Sequence, residues 1–246
     1  MYRYQLIIEY DGNSYIGWQK QKKGKSIQGT LERILSKILK EKITIYGSGR
    51  TDAGVHAYEQ SSHFDIKKKI FNIEKLIKSL NYFLQKKNIN VLKIRKKSLD
   101  FHARFSATKR EYTYKILNRL SPSSLNKNKV WHVIKSLNIS EMKRGCDYLK
   151  GKHDFSSFQS SNCGAKNPIR SLNKAIVTKK GDQIIFVFES KSFLQQQVRS
   201  MVGCLKYLGE GKWDLKKFVK VLNSKNRKLC APPAPPCGLF LKKISY

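Results

Sequence analysis

From Tyr2 to Tyr10 the apolar side chains fall on every second position: Tyr2, Tyr4, Leu6, Ile8 and Tyr10. Arg3, Gln5 and Glu9 lie between them, so the segment predicts a strand with one buried face. The period then changes. Leu31, Ile34, Leu35, Ile38 and Leu39 recur at helical spacing, and Ser26 stands where a side-chain cap is needed. A short strand over Ile43–Tyr46 and a returning strand over 59–65 follow. A second helix begins near Asn72 and places Leu76, Ile77, Leu80, Phe83 and Leu84 on one face. A strand around Ile89–Ile94 closes this half.

A second half begins near Ser106. Alternation over Arg110–Asn118 sets Tyr112, Tyr114 and Ile116 on one face of a strand. Residues 119–129 read as a polar loop. Ser140 starts a helix carrying Met142, Cys146 and Leu149, which Gly151 stops. Residues 153–169 read as a long polar loop. Two strands flank Gly181-Asp182, a hairpin signal. The next helix has Leu194, Val198, Met201, Val202 and Leu205 as its stripe, and Asp214 starts the last one. Pro232-Pro233-Ala234-Pro235-Pro236 is a stiff connector to a final strand. The pattern predicts an α+β protein with an N-terminal half over 1–105 and a C-terminal half over 106–246. No sequence repeat relates them, although both mix strands and helices in a similar order.

Composition narrows the partner. The 246 residues carry 50 Lys+Arg against 17 Asp+Glu, a net charge of +33. Such a chain repels itself unless a polyanion compensates it, and nucleic acid is the natural one. Lys67-Lys68-Lys69 and Arg95-Lys96-Lys97 are the densest runs. They face phosphates or are solvated charge. The five cysteines form no C-x-x-C pair and no zinc spacing, which fits reduced thiols in a cytoplasmic protein. No metal site and no cofactor is expected. No apolar run approaches membrane-spanning length, and the alternating N-terminus is unlike a signal peptide.

Against this basic background one carboxylate stands out. Asp52 lies in Tyr46-Gly47-Ser48-Gly49-Arg50-Thr51-Asp52-Ala53-Gly54-Val55-His56-Ala57, a stretch of mostly small residues. Its glycines allow tight turning and close approach to a ligand. A turn aspartate also serves as a simple backbone cap. The alternative reading is that Asp52 does chemistry on RNA, with Arg50 near enough to reach a phosphate or a base.

The full string Gly49-Arg50-Thr51-Asp52-Ala53-Gly54-Val55-His56 resembles the signature of the pseudouridine synthases, specifically the tRNA pseudouridine synthase A family. The resemblance continues, in family order, through Glu9-Tyr10-Asp11-Gly12, Gly17-Trp18-Gln19-Lys20-Gln21 and Asp100-Phe101-His102-Ala103-Arg104-Phe105-Ser106-Ala107-Thr108. Beyond these it takes in Arg110-Glu111-Tyr112-Thr113-Tyr114, Asp154-Phe155-Ser156-Ser157-Phe158, Val198-Arg199 and Gly238-Leu239-Phe240-Leu241. Gln195-Gln196-Gln197 departs from it, standing where the family often has His or Met.

This resemblance implies a pseudouridine synthase fold: two related α+β halves with mainly antiparallel sheets flanking a central active-site cleft. It implies conversion of uridine to pseudouridine in the anticodon arm of tRNA, at positions 38, 39 and 40, by a homodimer. Asp52 is then the catalytic carboxylate and Arg199 the residue that orients it. Arg50 is the wedge that fills the place of a flipped uridine, or a second ion-pair partner. Tyr112 matches the active-site tyrosine, stacking on uracil or relaying the C5 proton. Leu239 matches a position that packs on the target base. Gln19, Lys20 and Gln21 match an RNA-contacting segment. Phe155, with Phe158, either stacks on RNA or anchors its loop as a buried ring. His56 and His102 receive no chemical role.

Two other classes compete. A non-catalytic basic RNA-binding protein has the right charge but no use for a carboxylate presented to phosphates. A nuclease or other carboxylate hydrolase usually needs several acidic metal ligands, and Asp52 has no partner carboxylate nearby in sequence.

Overall fold

The computed structural model describes residues 1–246. In chain order the elements are β1 (Tyr2–Tyr10), α1 (Ile27–Leu39), β2 (Tyr46–Gly47), β3 (His56–Ile66), α2 (Ile73–Leu84), β4 (Ile89–Lys97), β5 (Lys109–Asn118) and β6 (Trp131–Val133). They continue with α3 (Ile139–Leu149), β7 (Gly151–Asp154), β8 (Ile169–Lys180), β9 (Gln183–Ser190), α4 (Gln197–Gly209), α5 (Leu215–Asn223) and β10 (Leu239–Ser245). The protein is α+β. Its chain divides into one unit of Met1–Thr108 with Phe240–Tyr246 and a second of Lys109–Leu239. No helix is long and apolar enough to cross a membrane.

In the first unit the sheet order is β4-β1-β3-β10, with β2 on β3. All pairs are antiparallel except β3 with β10. The alternation of β1 works as expected. Tyr4, Leu6 and Ile8 pair with Phe64, Ser62 and Gln60 across β3 and are buried, as are Leu31 and Leu35 of α1 and Leu80 and Leu84 of α2. The opposite face is polar: Gln5 pairs with His63 and Arg3 with Asp65. Ser26 caps α1, its Oγ accepting from Gly29 N at 3.1 Å, and Asn72 caps α2, accepting from Lys75 N at 2.7 Å.

The second unit has the antiparallel order β5-β9-β8-β7, with β6 parallel to β5. Tyr112, Tyr114 and Ile116 share a face with Phe188, Phe186 and Ile184, their β9 partners. Met142 of α3, Met201 and Leu205 of α4 and Phe218 of α5 are fully buried. Gly181 turns the β8–β9 hairpin with φ +56°. Asp214 caps α5, accepting from Lys217 N at 2.7 Å.

Five expectations change in the folded chain. Residues 240–246, read as part of the second half, group with the first unit, because β10 pairs with β3 through Phe240–His56 and Leu241–Ala57. Ile43 and Ile45 are buried but lie outside a strand; Ile45 is held by α1 side chains, its N–H donating to Glu32 and its carbonyl accepting from Gln28. The cap of α3 is Asn138, two residues before Ser140, its side chain accepting from Glu141 N at 3.2 Å. Leu194 precedes α4, since Gln196 is left-handed at φ 61° and Gln197 accepts from Leu194 N with its side chain. The 153–169 loop is shorter than expected, its ends pairing as β7 and the start of β8.

Candidate active site

Asp52 opens a turn in which its carbonyl accepts from Val55 N at 3.2 Å, and Gly54 supplies the left-handed φ of +76°. The loop is fastened on both limbs. Thr51 accepts from Trp18 N through its carbonyl at 3.0 Å, and its hydroxyl meets the Tyr10 hydroxyl at 2.8 Å. Gln60 of β3 holds the other limb: its Nε2 donates to the Gly49 carbonyl at 3.0 Å, and its Oε1 accepts from Ser48 Oγ at 2.8 Å.

The segment that follows β1 clasps this loop from outside, and two glycines make the approach possible. A Cβ on Gly12 would lie 2.1 Å from the Val55 carbonyl oxygen, and one on Gly17 2.6 Å from that of Thr51. Gly12 also donates its N–H to His56 Nδ1 at 3.2 Å, and the His56 ring stacks on Phe240 with centroids 4.7 Å apart. The backbone around Asp52 is thus set by hydrogen bonds to buried neighbours, while the carboxylate-bearing residue itself is half-buried and Arg50 is exposed. A loop fixed in this way aims a charge without reorganising when the reaction needs it. Sequence reading did not single out Tyr10, Gly12, Gly17 or Gln60 as holding this loop. The signal was present in part, as the paired glycines of Asp11-Gly12 and Gly17-Trp18.

Arg50 and Asp52 share that loop in the first unit; Tyr112, Arg199 and Leu239 belong to the second. Tyr112 lies on β5, nearly buried, with its ring edge-on to Phe193 at 5.2 Å. Arg199 lies in the first turn of α4. Its Nε donates to the Ala234 carbonyl at 2.8 Å, and Ala234 N donates back to the Arg199 carbonyl at 2.9 Å. The Pro-rich connector therefore runs as a strap along α4. Gly203 admits it: a Cβ there would lie 2.1 Å from the Pro232 carbonyl oxygen. Tyr114 adds a further tie, its hydroxyl donating to the Pro235 carbonyl at 2.7 Å. Leu239 follows the strap and is buried.

Gln19 and Lys20 line an open groove of about 510 Å³ beside α1, with Gln28, Glu32, Arg33 and Lys42. Gln19 Nε2 and Lys20 N both donate to Gln28 Oε1, at 2.9 and 3.0 Å, and Lys20 Nζ lies 3.6 Å from Glu32. Gln21 is exposed and donates to the Ile16 carbonyl at 3.4 Å. Phe155 is not a stacking surface. It and Phe158 have no exposed area; they pack 6.0 Å apart and anchor the turn between β7 and β8. The Gln195-Gln196-Gln197 departure is a packing matter at Gln197, which is wholly buried.

Similarity to known proteins agrees with the fold and with the loop. The family described as tRNA pseudouridine synthase matches residues 6–106 and 146–246. The chain is 58% identical over 246 residues to "tRNA pseudouridine synthase A" of Pelagibacter ubique, covering the whole of both proteins. It is 47% identical over 244 residues to the protein of that name from Neorickettsia sennetsu, covering 99% of this chain and all of the relative. With the Paramagnetospirillum magneticum protein of the same name it shares 43% over 246 residues, all of this chain and 96% of the other. By this likeness the protein falls in the class of RNA-acting enzymes. The chain belongs to the tRNA pseudouridine synthase family, whose members are isomerases acting on tRNA.

Proposed function

We propose that this protein converts uridine to pseudouridine at tRNA positions 38, 39 and 40 in the anticodon stem-loop, working as a homodimer in the cytoplasm. The observation that carries the reading is the Asp52 loop: the family's motif stands complete, on a loop held by Tyr10, Trp18 and Gln60. The reaction breaks the bond from uracil N1 to the ribose carbon, turns the base and joins C5 to the same carbon, releasing the C5 proton. Sugar charge develops as the first bond breaks. Asp52 meets that charge as electrostatic partner, nucleophile or base toward a neighbouring sugar proton. Arg199, Tyr112 and Leu239 act on the same uridine in the roles the family resemblance assigns them: orienting Asp52, contacting the uracil and packing on it. Gln19, Lys20 and Gln21 contribute RNA contacts. Arg50 occupies the place the uridine leaves.

Tritium release from tRNA labelled at uridine C5 tests the proposal directly. The parent is expected to release label, and Asp52→Asn to lose more than about 1,000-fold in rate while binding tRNA within a few-fold of the parent. Substantial turnover by Asp52→Asn removes Asp52 from the chemistry. Arg50→Ala is expected to lose on the order of 100-fold on a paired target and less on an unpaired one, because unstacking is the step it assists. An equal loss on both makes Arg50 an ion-pair partner.

A further inference from the structure

A row of four rings lies on the polar face of the first unit's sheet. Tyr46, the first residue of β2, stacks on His63 of β3 with centroids 5.1 Å apart and planes 21° apart. Tyr46 also meets His102 at 6.1 Å, and His102 packs edge-on against His63 at 4.7 Å. Phe105 continues the row, 4.4 Å from His102. Of the middle rings His63 is buried and His102 half-buried, and the ends are open: Tyr46 is 49% exposed and Phe105 73%. Other large side chains of the chain are equally exposed, Phe71 and Tyr82 among them, but Tyr46 and Phe105 are the two ends of one continuous row of rings.

Hydrogen bonds tie the frame beneath the rings together. His63 Nδ1 accepts from Ala103 N at 3.1 Å, and His102 Nδ1 accepts from Arg104 N at 3.1 Å. Arg3 forms two bonds of 2.7 Å with Asp65 and a third, of 2.8 Å, to the Phe101 carbonyl. Tyr246 donates to the Ala103 carbonyl at 2.9 Å. Burial pushes the His63 imidazole down to about 4 and lowers that of His102, so at neutral pH the inner rings present uncharged π faces. Cations lie over the Phe105 end of the row and over a ring beside it. The Arg104 guanidinium lies 5.5 Å over the Phe105 ring, and Lys97 Nζ lies 5.0 Å over Phe101, which meets His63 edge-on.

Flat uncharged rings edged by cations suit a nucleobase with its phosphate, since any base can stack and the phosphate meets the positive border. The row also opens at Tyr46, in the strand that leads into the Asp52 loop. We propose that Tyr46 and Phe105 form a stacking platform for an unpaired nucleobase of bound tRNA, distinct from the target uridine, which sets substrate affinity and not the rate of the chemical step. The proposal rests on the reading of the chain as a tRNA-modifying enzyme.

The test compares parent, Tyr46→Ala, Phe105→Ala, the double variant, Tyr46→Phe and Tyr46→Leu. Each is measured for tRNA affinity at fixed salt and for single-turnover tritium release at saturating tRNA. Each alanine variant is expected to weaken binding about ten- to a hundred-fold. The saturated rate should stay within about two-fold of the parent. Tyr46→Phe should bind like the parent, and Tyr46→Leu, which keeps the bulk and loses the ring, like Tyr46→Ala. The salt slope of Tyr46→Ala should match the parent's, because no phosphate contact is removed. Parental affinity in the double variant overturns the proposal. So does a rate defect at saturation, or an unchanged affinity accompanied by a changed oligomeric state, which assigns the rings to a protein interface. Absence of tritium release by the parent would instead refute the proposed activity, while the affinity series would still read the platform.

Discussion

The Asp52 loop and the Arg199 turn of α4 hold a charged residue by opposite means. Around Asp52, side chains from β1 and β3 hold the loop: the Tyr10 hydroxyl meets that of Thr51, and Gln60 takes the Ser48 hydroxyl and the Gly49 carbonyl. Around Arg199, backbone holds a side chain, the Ala234 carbonyl taking Nε while Ala234 N returns a bond to the helix. A short carboxylate has fewer rotamers than a long guanidinium, so fixing its backbone narrows where its oxygens can lie. A long guanidinium has many, so its stem must be held as well. Both regions depend on a glycine against which a carbonyl rests, Gly12 under Val55 and Gly203 under Pro232.

Those two glycines are where the comparison is easiest to break. A methyl group at either meets a backbone oxygen at 2.1 Å, and backbone cannot rotate away as a side chain can. Gly12→Ala and Gly203→Ala are each expected to cost about 2–3 kcal/mol, or roughly 5–10 °C in Tm. Each should also lose at least about ten-fold in single-turnover rate, with tRNA affinity changed less. Parental melting and rate in either variant would show that the corresponding contact does not position its charge.

The two units should also fail at opposite ends of the pH range. His63 in the first unit is held neutral, its value depressed by burial to about 4. Below about pH 6.5 the unfolded chain takes up a proton that the folded unit refuses, so stability falls with pH until about 4, by about 2 kcal/mol at pH 5. In the second unit burial raises the Tyr114 hydroxyl, and pushes the Cys146 thiol up to about 12. There the unfolded chain loses protons first, so stability falls as pH rises above about 9. Hydrogen exchange resolved by peptide should show the first unit opening earlier at pH 5 and the second earlier at pH 10. Equal loosening of both units at both pH values would contradict this.

The smallest expected effect sharpens the account of the loop alone. Tyr10→Phe removes one hydroxyl from the bond to Thr51 and leaves the ring in place. It should cost about 1 kcal/mol of stability. A few-fold slower rate with unchanged tRNA affinity is expected beside it. An affinity change without a rate change would mean that Tyr10 supports RNA binding and not the aim of Asp52.

Helix ends were largely legible in the chain, because a cap is local. Ser26, Asn72 and Asp214 each bond to a backbone N–H three residues on. Strand faces were legible for the same reason, as in the alternation of Tyr4, Leu6 and Ile8. Asp52 and Arg50 could be picked out by their motif. Phe155 could not be placed, since a ring among serines suits a stacking surface and a buried anchor equally, and only burial separates them. Neither could Ile43 and Ile45, whose apolar spacing suits a strand although α1 side chains take the place of a strand neighbour at Ile45.

The sequence by itself determined the α+β class, the basic surface, the element order and the family motif around Asp52, because each is written in neighbouring residues. Tertiary structure decided the pairing of β10 with β3, the clasp of Gly12 and Gly17 on the Asp52 loop, and the strap along α4 at Gly203. Each joins residues 29 to 184 positions apart in the chain. Whether such contacts form depends on which surfaces bury together and how closely two backbones approach, and no local spacing records either.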